Sequence, residues 1–347
     1  MENENFNQQP QYQPPPYYQP PIPEKKLFKN KISFTSGGLL IYSAVMYIIV
    51  FGIMIVAEVI EMIIAAVKNE ELDIEAFIAE YSETDMGMSI AVIMGCAVMI
   101  LFFFRRIKPK EIFTAHSQKM TASKFIMLVC VLMCIQLPIS LFDIFFEALL
   151  NQVGLSAEAA IESSQAGSTT ISMMLYAGFI GPFAEEFIYR GYTMRSLERT
   201  GAGKGYALVI SSMLFGIMHA NPTQSIYAFF AGMVFGYAAM EYGIIWSILL
   251  HIANNFVFGD VMVFISKRLS EEAANILDWG MLIGLFIAGV AVLIVKRKQT
   301  KEYIAENYYT EKKYYGWTFT NILTWIFIGL NIILAVMQIT GLEETLT

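Results

Sequence analysis

The sequence TISMMLYAGFIGPFAEEFIYRGYT, residues 170–193, combines a long apolar run with three ionisable side chains. As a helix, a run of this length can cross the ~30 Å hydrocarbon layer, which needs about 20 residues. The ionisable side chains are Glu185, Glu186 and Arg190. Such groups are expensive at membrane depth, and where they occur they usually carry function. The run therefore predicts a membrane-spanning helix that contributes to a chemical site.

The composition of the whole chain also favours a membrane protein. The 347 residues are 56% hydrophobic and only 15% charged, with a mean hydropathy of +0.52. Soluble domains carry about 25% charged residues, so this chain has too little polar surface for a soluble globule. Its net charge of -7 argues against nucleic acid as a partner. The three cysteines lie in apolar runs, which favours packing over a disulfide framework.

Apolar runs of helical length recur along the chain and predict an all-α fold, a polytopic transmembrane helical bundle of about nine spans. Helices are expected because every backbone polar group must be paired inside the lipid. The fifth and sixth runs are the shortest, and only Asn221-Pro222-Thr223 separates them. The predicted spans are 39–60, 86–104, 123–146, 170–193, 205–221, 224–241, 243–265, 277–295 and 318–339.

The distribution of charge predicts the orientation of these spans. Lysines and arginines precede the first span and follow the second, fourth and eighth, whereas acidic residues follow the first and third. Because basic residues collect on the cytoplasmic side, we expect a multi-pass plasma-membrane protein with a cytoplasmic N-terminus. The absence of a C-terminal KDEL signal favours a bacterial membrane.

Four regions follow from this reading. A Pro/Gln/Tyr-rich cytoplasmic arm is predicted for 1–30; its composition favours extended, disordered chain, and a docking arm for a Pro-binding partner is the alternative. N-terminal transmembrane helices follow over 31–120. The catalytic transmembrane core is placed at 121–265, and C-terminal transmembrane helices at 266–347.

Three short motifs hold the costly polar residues at helical spacing. They read EEFIYR (185–190), FGIMH (215–219) and HIANN (251–255), on the fourth, fifth and seventh spans. Residues four apart share one face of a helix, so Glu186 and Arg190 are expected to pair. At a rise of 1.5 Å per residue, the acid, histidine and asparagine positions lie ~12–21 Å from the cytoplasmic boundary. We therefore expect the three motifs to meet in one layer.

The chemistry of these groups predicts amide hydrolysis. A buried carboxylate can act as a general base toward water, and a neighbouring imidazole can share that water, so Glu185 and His219 are assigned to it. An imidazole and an amide can donate hydrogen bonds to an oxyanion, which assigns His251 and Asn255 to the oxyanion. The remaining motif residues are supporting ones: Glu186 and Arg190 as a structural charge pair, and Phe215 as packing beside the site.

These motifs, in this order on a multi-span chain, resemble the CPBP family of CAAX-processing type II proteases and bacteriocin-processing and self-immunity (Abi) proteins. The resemblance implies a helical bundle with a CAAX type II protease-like core that cleaves peptide bonds in a cytoplasm-open cavity. It also implies that Glu185 and His219 activate water, and that His251 and Asn255 form the oxyanion site. Family members commonly have fewer spans, so the last two spans and the Pro-rich arm are additions.

Several alternatives stay open at the level of sequence. Zinc could be held by Glu185, His219 and His251, although no HExxH helix is present and a metal-free mechanism is favoured. Asn255 could instead join two helices. Asp260, like Asp143 and Glu147, lines either the cavity or a polar mouth.

The function itself also has alternatives. The favoured partners of an endopeptidase are the lipid bilayer and a membrane-embedded or lipid-anchored peptide or protein, such as a CAAX protein, a leader peptide or a bacteriocin precursor. A non-catalytic scaffold or bacteriocin self-immunity protein would use the same cavity only to bind. A transporter would use the buried ionisable groups to relay protons or bind an ion. Nothing in the sequence sets the oligomeric state.

Overall fold

A computed structural model describes residues 24–69, 86–114, 117–157 and 171–340. Every regular element in these ranges is a helix, which confirms the predicted all-α fold. The helices are α1 (Glu24–Lys68), α2 (Met86–Phe103), α3 (Pro109–Thr114), α4 (Ala122–Met133), α5 (Gln136–Asn151), α6 (Ile171–Glu198), α7 (Lys204–Met218), α8 (Pro222–Tyr242), α9 (Ile244–Ser266), α10 (Glu271–Asn307), α11 (Lys312–Thr318) and α12 (Ile322–Thr340).

In the described residues, each of the nine predicted spans overlaps one or two helices. Six helical segments are long and apolar enough to cross a membrane: Glu24–Lys68, Ala122–Asn151, Ile171–Glu198, Ile244–Ser266, Glu271–Asn307 and Ile322–Thr340. Two shorter apolar helices, Gly87–Phe103 and Lys204–Met218, accompany them. The chain is therefore a multi-pass helical membrane protein. The predicted domain boundaries remain predictions.

Local signals in the sequence explain the tight connections around α8. Asn221 adopts an extended backbone and its side chain accepts a hydrogen bond from the backbone N–H of Gln224, with Pro222 at the first helical position. Both features favour a helix start. At the other end Gly243 has a φ of 102°, a value that favours glycine, and α9 begins at the next residue. The chain thus reverses into α9 without an intervening loop.

Two helices of the bundle depart from regular α geometry. In α6, π-helical turns cover Tyr176–Ile180 and Phe187–Met194. In α9, a π-helical stretch covers Ala253–Val261. Such turns are uncommon and often occur at functional sites, because they rotate the following side chains relative to an ideal α-helix. Both helices carry motif residues.

The motif-bearing helices form the centre of the bundle. Helix α7 packs along α8, α6 contacts α9, and the N-terminal helix α1 packs on α2 and α12. Buried aromatic and aliphatic side chains fill the space between them. Large apolar side chains on the outer faces are exposed, among them Ile48 and Phe51 of α1 and Val295 of α10. An apolar outer surface is what a lipid environment requires.

Some predictions fall outside the described residues. These are the Pro-rich arm up to residue 23, the acidic segment after the first span, and His116 of the polar loop.

Candidate active site

The predicted pair of Glu186 and Arg190 lies at the centre of the bundle. The Arg190 Nη1 donates to Glu186 Oε1 at 2.9 Å, and both side chains are fully buried. The guanidinium also lies over the ring of Phe215, 4.2 Å from its centroid. Gly232 of α8 makes room for it, since a Cβ there would sit 2.9 Å from Arg190 Nη2. A buried charge is tolerable only when it is paired in this way.

Glu186 receives further donors from α9. The His251 Nδ1 lies 3.0 Å from Glu186 Oε1, and the hydroxyl of Ser247 bonds to Glu186 Oε2. The same hydroxyl lies 2.8 Å from the carbonyl oxygen of Phe235, so its single hydrogen is shared between two acceptors. The carboxylate of Glu186 is thus surrounded by donors and fixes the ring of His251.

His251 connects the two glutamates. Its ring is 4% exposed and stacks on Phe235 with centroids 4.5 Å apart. Because Nδ1 faces Glu186, the other ring nitrogen points toward Glu185, with Nε2 and Oε2 separated by 3.7 Å. This distance is too long for a direct hydrogen bond. It lets a single water molecule or substrate atom contact both groups.

Glu185 is the more accessible acid of the pair. Its side chain is 23% exposed, whereas that of Glu186 is fully buried. The 100° rotation between successive residues of a helix separates the two carboxylates. Glu185 is therefore the acid that water can reach.

His219 lies at the C-terminal end of α7 with one nitrogen occupied. Its Nδ1 is 2.9 Å from the carbonyl oxygen of Phe215, and a carbonyl can only accept, so the hydrogen is on Nδ1 and Nε2 remains an acceptor. Phe215 lies between the two histidines, with its centroid 4.9 Å from the His219 ring and 5.9 Å from the His251 ring. The closest contact of Glu185 with a motif histidine is to His251.

Asn255 is placed beside the site but is already engaged. Its Nδ2 donates to the carbonyl oxygen of Ala177 on α6 at 3.0 Å, and its Oδ1 accepts from Asn254 Nδ2 at 2.9 Å. Asn254 in turn accepts from the hydroxyl of Tyr227. The amide therefore joins α6 to α9, as the alternative assignment expects. One hydrogen of Asn255 Nδ2 remains for a second acceptor.

Sequence reasoning missed Ser247. It is fully buried and precedes His251 by four residues, so the spacing SxxxH was a signal that both side chains share a face. Of the acids left open, Glu147 accepts hydrogen bonds from the Ser156 hydroxyl and the Ala157 amide near the end of α5. Asp260 is buried in α9 against α6.

The described side chains do not assemble the zinc site that the sequence left open. Among the described residues, no three His, Cys, Asp or Glu side chains form a group that could hold a metal ion. Of the three candidate ligands, His251 and Glu185 are in contact, with Nε2 and Oε2 separated by 3.7 Å.

The comparison with protein families agrees with the motifs. The family described as Rce1-like, Type II CAAX prenyl endopeptidase Rce1-like, matches residues 167–257, which contain all three motifs. The match confirms the resemblance predicted from the sequence. It supports the general class of CAAX-type intramembrane endopeptidases for this helical membrane protein. Neither the curated proteins nor the solved structures give a match to the chain.

Proposed function

We propose that this protein is an intramembrane endopeptidase that hydrolyses peptide bonds of membrane-embedded or lipid-anchored substrates with water activated by Glu185. The observation that carries the proposal is the contact of a half-buried carboxylate with a fixed imidazole, Glu185 Oε2 to His251 Nε2 at 3.7 Å. The family match over 167–257 supports the same class of reaction.

Activation of water uses two acceptors. A water between α6 and α7 gives one hydrogen bond to the Glu185 carboxylate and one to Nε2 of His219, whose Nδ1–H is held by the Phe215 carbonyl. As the water oxygen bonds to the scissile carbonyl carbon, its proton passes to Glu185. A positioned general base of this kind contributes about 10²–10⁴-fold to the rate.

Stabilisation of the oxyanion uses donors from α9. With Nδ1–H directed at Glu186, the imidazolium form of His251 would present Nε2–H to the carbonyl oxygen as it becomes negative. The free hydrogen of Asn255 Nδ2 is the second donor. When the carbon–nitrogen bond breaks, Glu185 returns its proton to the leaving amine, so the carboxylate is regenerated and no group is consumed. An oxyanion donor typically contributes about 10²–10³-fold.

Glu186 acts in this scheme as a positioning residue. It holds the His251 ring through Nδ1 and accepts hydrogen bonds from Arg190 and Ser247.

The proposed topology places the N-terminus in the cytoplasm, because basic residues follow the second, fourth and eighth predicted spans. A bacterial plasma membrane stays a prediction from the sequence.

Comparative proteomics of membranes tests the proposal and names the substrate. We expect cells carrying Glu185→Gln to accumulate uncleaved precursors whose products are present with the wild-type protein. Glu302→Gln, on the exposed face of α10, is the matched control and should behave like the wild type. If the Glu185→Gln membranes contain the same products as the wild type while the variant is present at equal amount, a binding-only scaffold is favoured and the hydrolase is not.

A further inference from the structure

A chain of hydrogen bonds runs from α8 to Asn255, and its first two members have no role in the mechanism described above. The Tyr227 hydroxyl donates to Asn254 Oδ1, and Asn254 Nδ2 donates to Asn255 Oδ1 at 2.9 Å. Asn255 Nδ2 then donates to the carbonyl oxygen of Ala177 on α6 at 3.0 Å. The chain therefore connects three helices through the residue proposed as the second oxyanion donor.

The two ends of this chain fix its direction. The Ala177 carbonyl oxygen can only accept a hydrogen bond, so the nitrogen of the Asn255 amide must face it. Asn255 Oδ1 then faces Asn254, whose nitrogen supplies the hydrogen and whose oxygen is directed at Tyr227. The phenolic hydroxyl provides the donor that this orientation of Asn254 requires. Every bond of the chain is thus made in one orientation of the two amides.

The direction of the chain decides what Asn255 can do for the proposed reaction. In that reaction the second hydrogen of Asn255 Nδ2 faces the carbonyl oxygen of the substrate. A reversed amide would present an oxygen instead, which cannot donate to an oxyanion. Reversal is opposed on one side by the Ala177 carbonyl and on the other by the nitrogen of Asn254. Tyr227 keeps that nitrogen in place by bonding the oxygen of the same amide.

The local backbone explains how two adjacent side chains can bond to each other. Both asparagines lie in the π-helical stretch Ala253–Val261 of α9. A π-helical turn contains more residues than an α-helical one, so successive side chains are rotated by less than about 100°. Both amides are partly buried, where an unpaired polar group is costly. The irregular helix and the need for partners therefore favour the same arrangement.

We infer that Tyr227 and Asn254 are positioning residues, which hold the Asn255 amide in the orientation that donates to the oxyanion. The inference rests on the proposed endopeptidase function. The competing explanation is that the chain only joins helices, because amide side chains commonly bond across membrane helices. The two explanations differ in what the Tyr227 hydroxyl affects. An aligned donor acts on the transition state and hence on kcat, whereas a helix contact acts on stability.

A double-mutant cycle with Tyr227→Phe and Asn255→Ala tests the inference. The purified protein in detergent is given a hydrophobic peptide substrate, and kcat and KM are measured separately. We expect Tyr227→Phe to lower kcat about tenfold and to leave KM within about twofold of the wild type. Asn255→Ala should lower kcat further, by about 10²–10³-fold. In the Asn255→Ala background, Tyr227→Phe should change kcat by less than about twofold, because the donor that it orients is already gone.

Two further variants serve as a second test and a control. Asn254→Leu removes the middle of the chain and should show the same dependence on Asn255. Tyr237→Phe removes a hydroxyl nearer the other end of α8, where the ring packs against Tyr242 and Tyr308, and it should keep the wild-type kcat. Melting temperatures in detergent show which variants are folded at the assay temperature. If Tyr227→Phe is not folded there, Asn254→Leu decides.

The outcomes separate the inference from the proposed function. A wild-type kcat in Tyr227→Phe and Asn254→Leu overturns the inference, and so does a loss that is equally large with and without Asn255. Both results leave the proposed function intact when the wild type cleaves the peptide and Glu185→Gln does not. A wild type that cleaves no peptide contradicts the proposed function, and the inference is overturned with it.

Discussion

Two adjacent glutamates have different environments because a helix turns by about 100° per residue. Glu186 is fully buried and surrounded by donors from Arg190, His251 and Ser247, whereas Glu185 is partly exposed. A carboxylate with all its oxygens engaged can orient a neighbouring ring, but it has little capacity left for water. In the proposed mechanism, the acid that activates water is therefore Glu185, the one with fewer partners.

Ser247 offers a test of the positioning of His251. Replacing Ser247 with Ala removes one hydrogen bond to Glu186, and bonds to charged groups contribute about 1.5–3 kcal/mol. Part of that loss should appear as a mispositioned His251 ring, so we expect kcat/KM for a cleaved peptide to fall about tenfold with KM little changed. Ser211→Ala is the control, because the buried Ser211 hydroxyl bonds only its own helix, at Leu208. Equal rates for Ser247→Ala and wild type would contradict the role of Glu186.

At the scale of the helices, the site depends on a close approach of α8 to α6. A Cβ at Gly232 would lie 2.9 Å from Arg190 Nη2, 3.1 Å from Ser212 Cβ and 3.2 Å from Phe215 Cδ1. These neighbours are buried, so they cannot all move away from an added methyl group. The absence of a side chain at this position is what lets the guanidinium reach both Glu186 and the Phe215 ring.

We expect Gly232→Ala to destabilise the protein by about 1–3 kcal/mol, the usual cost of overpacking. Peptide cleavage should fall as well, because Arg190 is displaced from Glu186. Thermal unfolding in detergent and kcat/KM are the measurements. Gly280→Ala in α10 is the control: nothing lies within 4 Å of a Cβ there, and alanine favours helix, so stability should be unchanged or higher. A Gly232→Ala protein with wild-type stability would show that the packing is less tight than described.

The helices and the contact of Glu186 with Arg190 could be predicted from the sequence. The geometry of the site could be predicted only in part. Apolar runs predicted the helices, and i,i+4 spacing predicted the contact of Glu186 with Arg190, since both follow from the geometry of a single helix. Which imidazole lies beside Glu185 depends on how separate helices rotate and shift against each other. The π-helical turns add to this, because they change which side chains share a face. The sequence accordingly did not predict the Glu185–His251 contact, and it left open whether Asn255 joins two helices or faces the site.

At the scale of the whole molecule, the buried acid Glu241 connects the additional C-terminal segments to the motif-bearing helices. Glu241, at the end of α8, accepts from Lys204 Nζ at 3.1 Å, Tyr303 hydroxyl at 2.6 Å, Tyr308 hydroxyl at 2.8 Å and Ser117 hydroxyl at 2.6 Å. The donors come from α7, from α10 and the residue after it, and from the loop before α4. Because α9 begins two residues after α8 ends, this cluster also holds the start of the helix that carries His251.

Tyr308 tests the contribution of the C-terminal segment. Burial, together with the Glu241 carboxylate, raises the pKa of its hydroxyl, so it stays a protonated donor across the physiological range. Tyr308→Phe removes one bond to a charged group, and we expect the melting temperature in detergent to fall by a few degrees, as a loss of about 1.5–3 kcal/mol implies. Tyr309→Phe, which alters a side chain that is 74% exposed, is the control and should melt like the wild type. Identical melting of both variants would contradict a stabilising role for the cluster.

We propose that this site cleaves peptide bonds with a glutamate and without a metal, and one assay of the purified protein tests this mechanism. A hydrophobic peptide identified as a substrate is incubated with the wild type and with Glu185→Gln in the presence of excess chelator. The cleavage products are then identified and quantified by mass spectrometry. We expect unchanged cleavage by the wild type in the presence of chelator and a loss of at least about 10²-fold for Glu185→Gln. Cleavage that stops on chelation and returns with zinc, or that persists in Glu185→Gln, would contradict it.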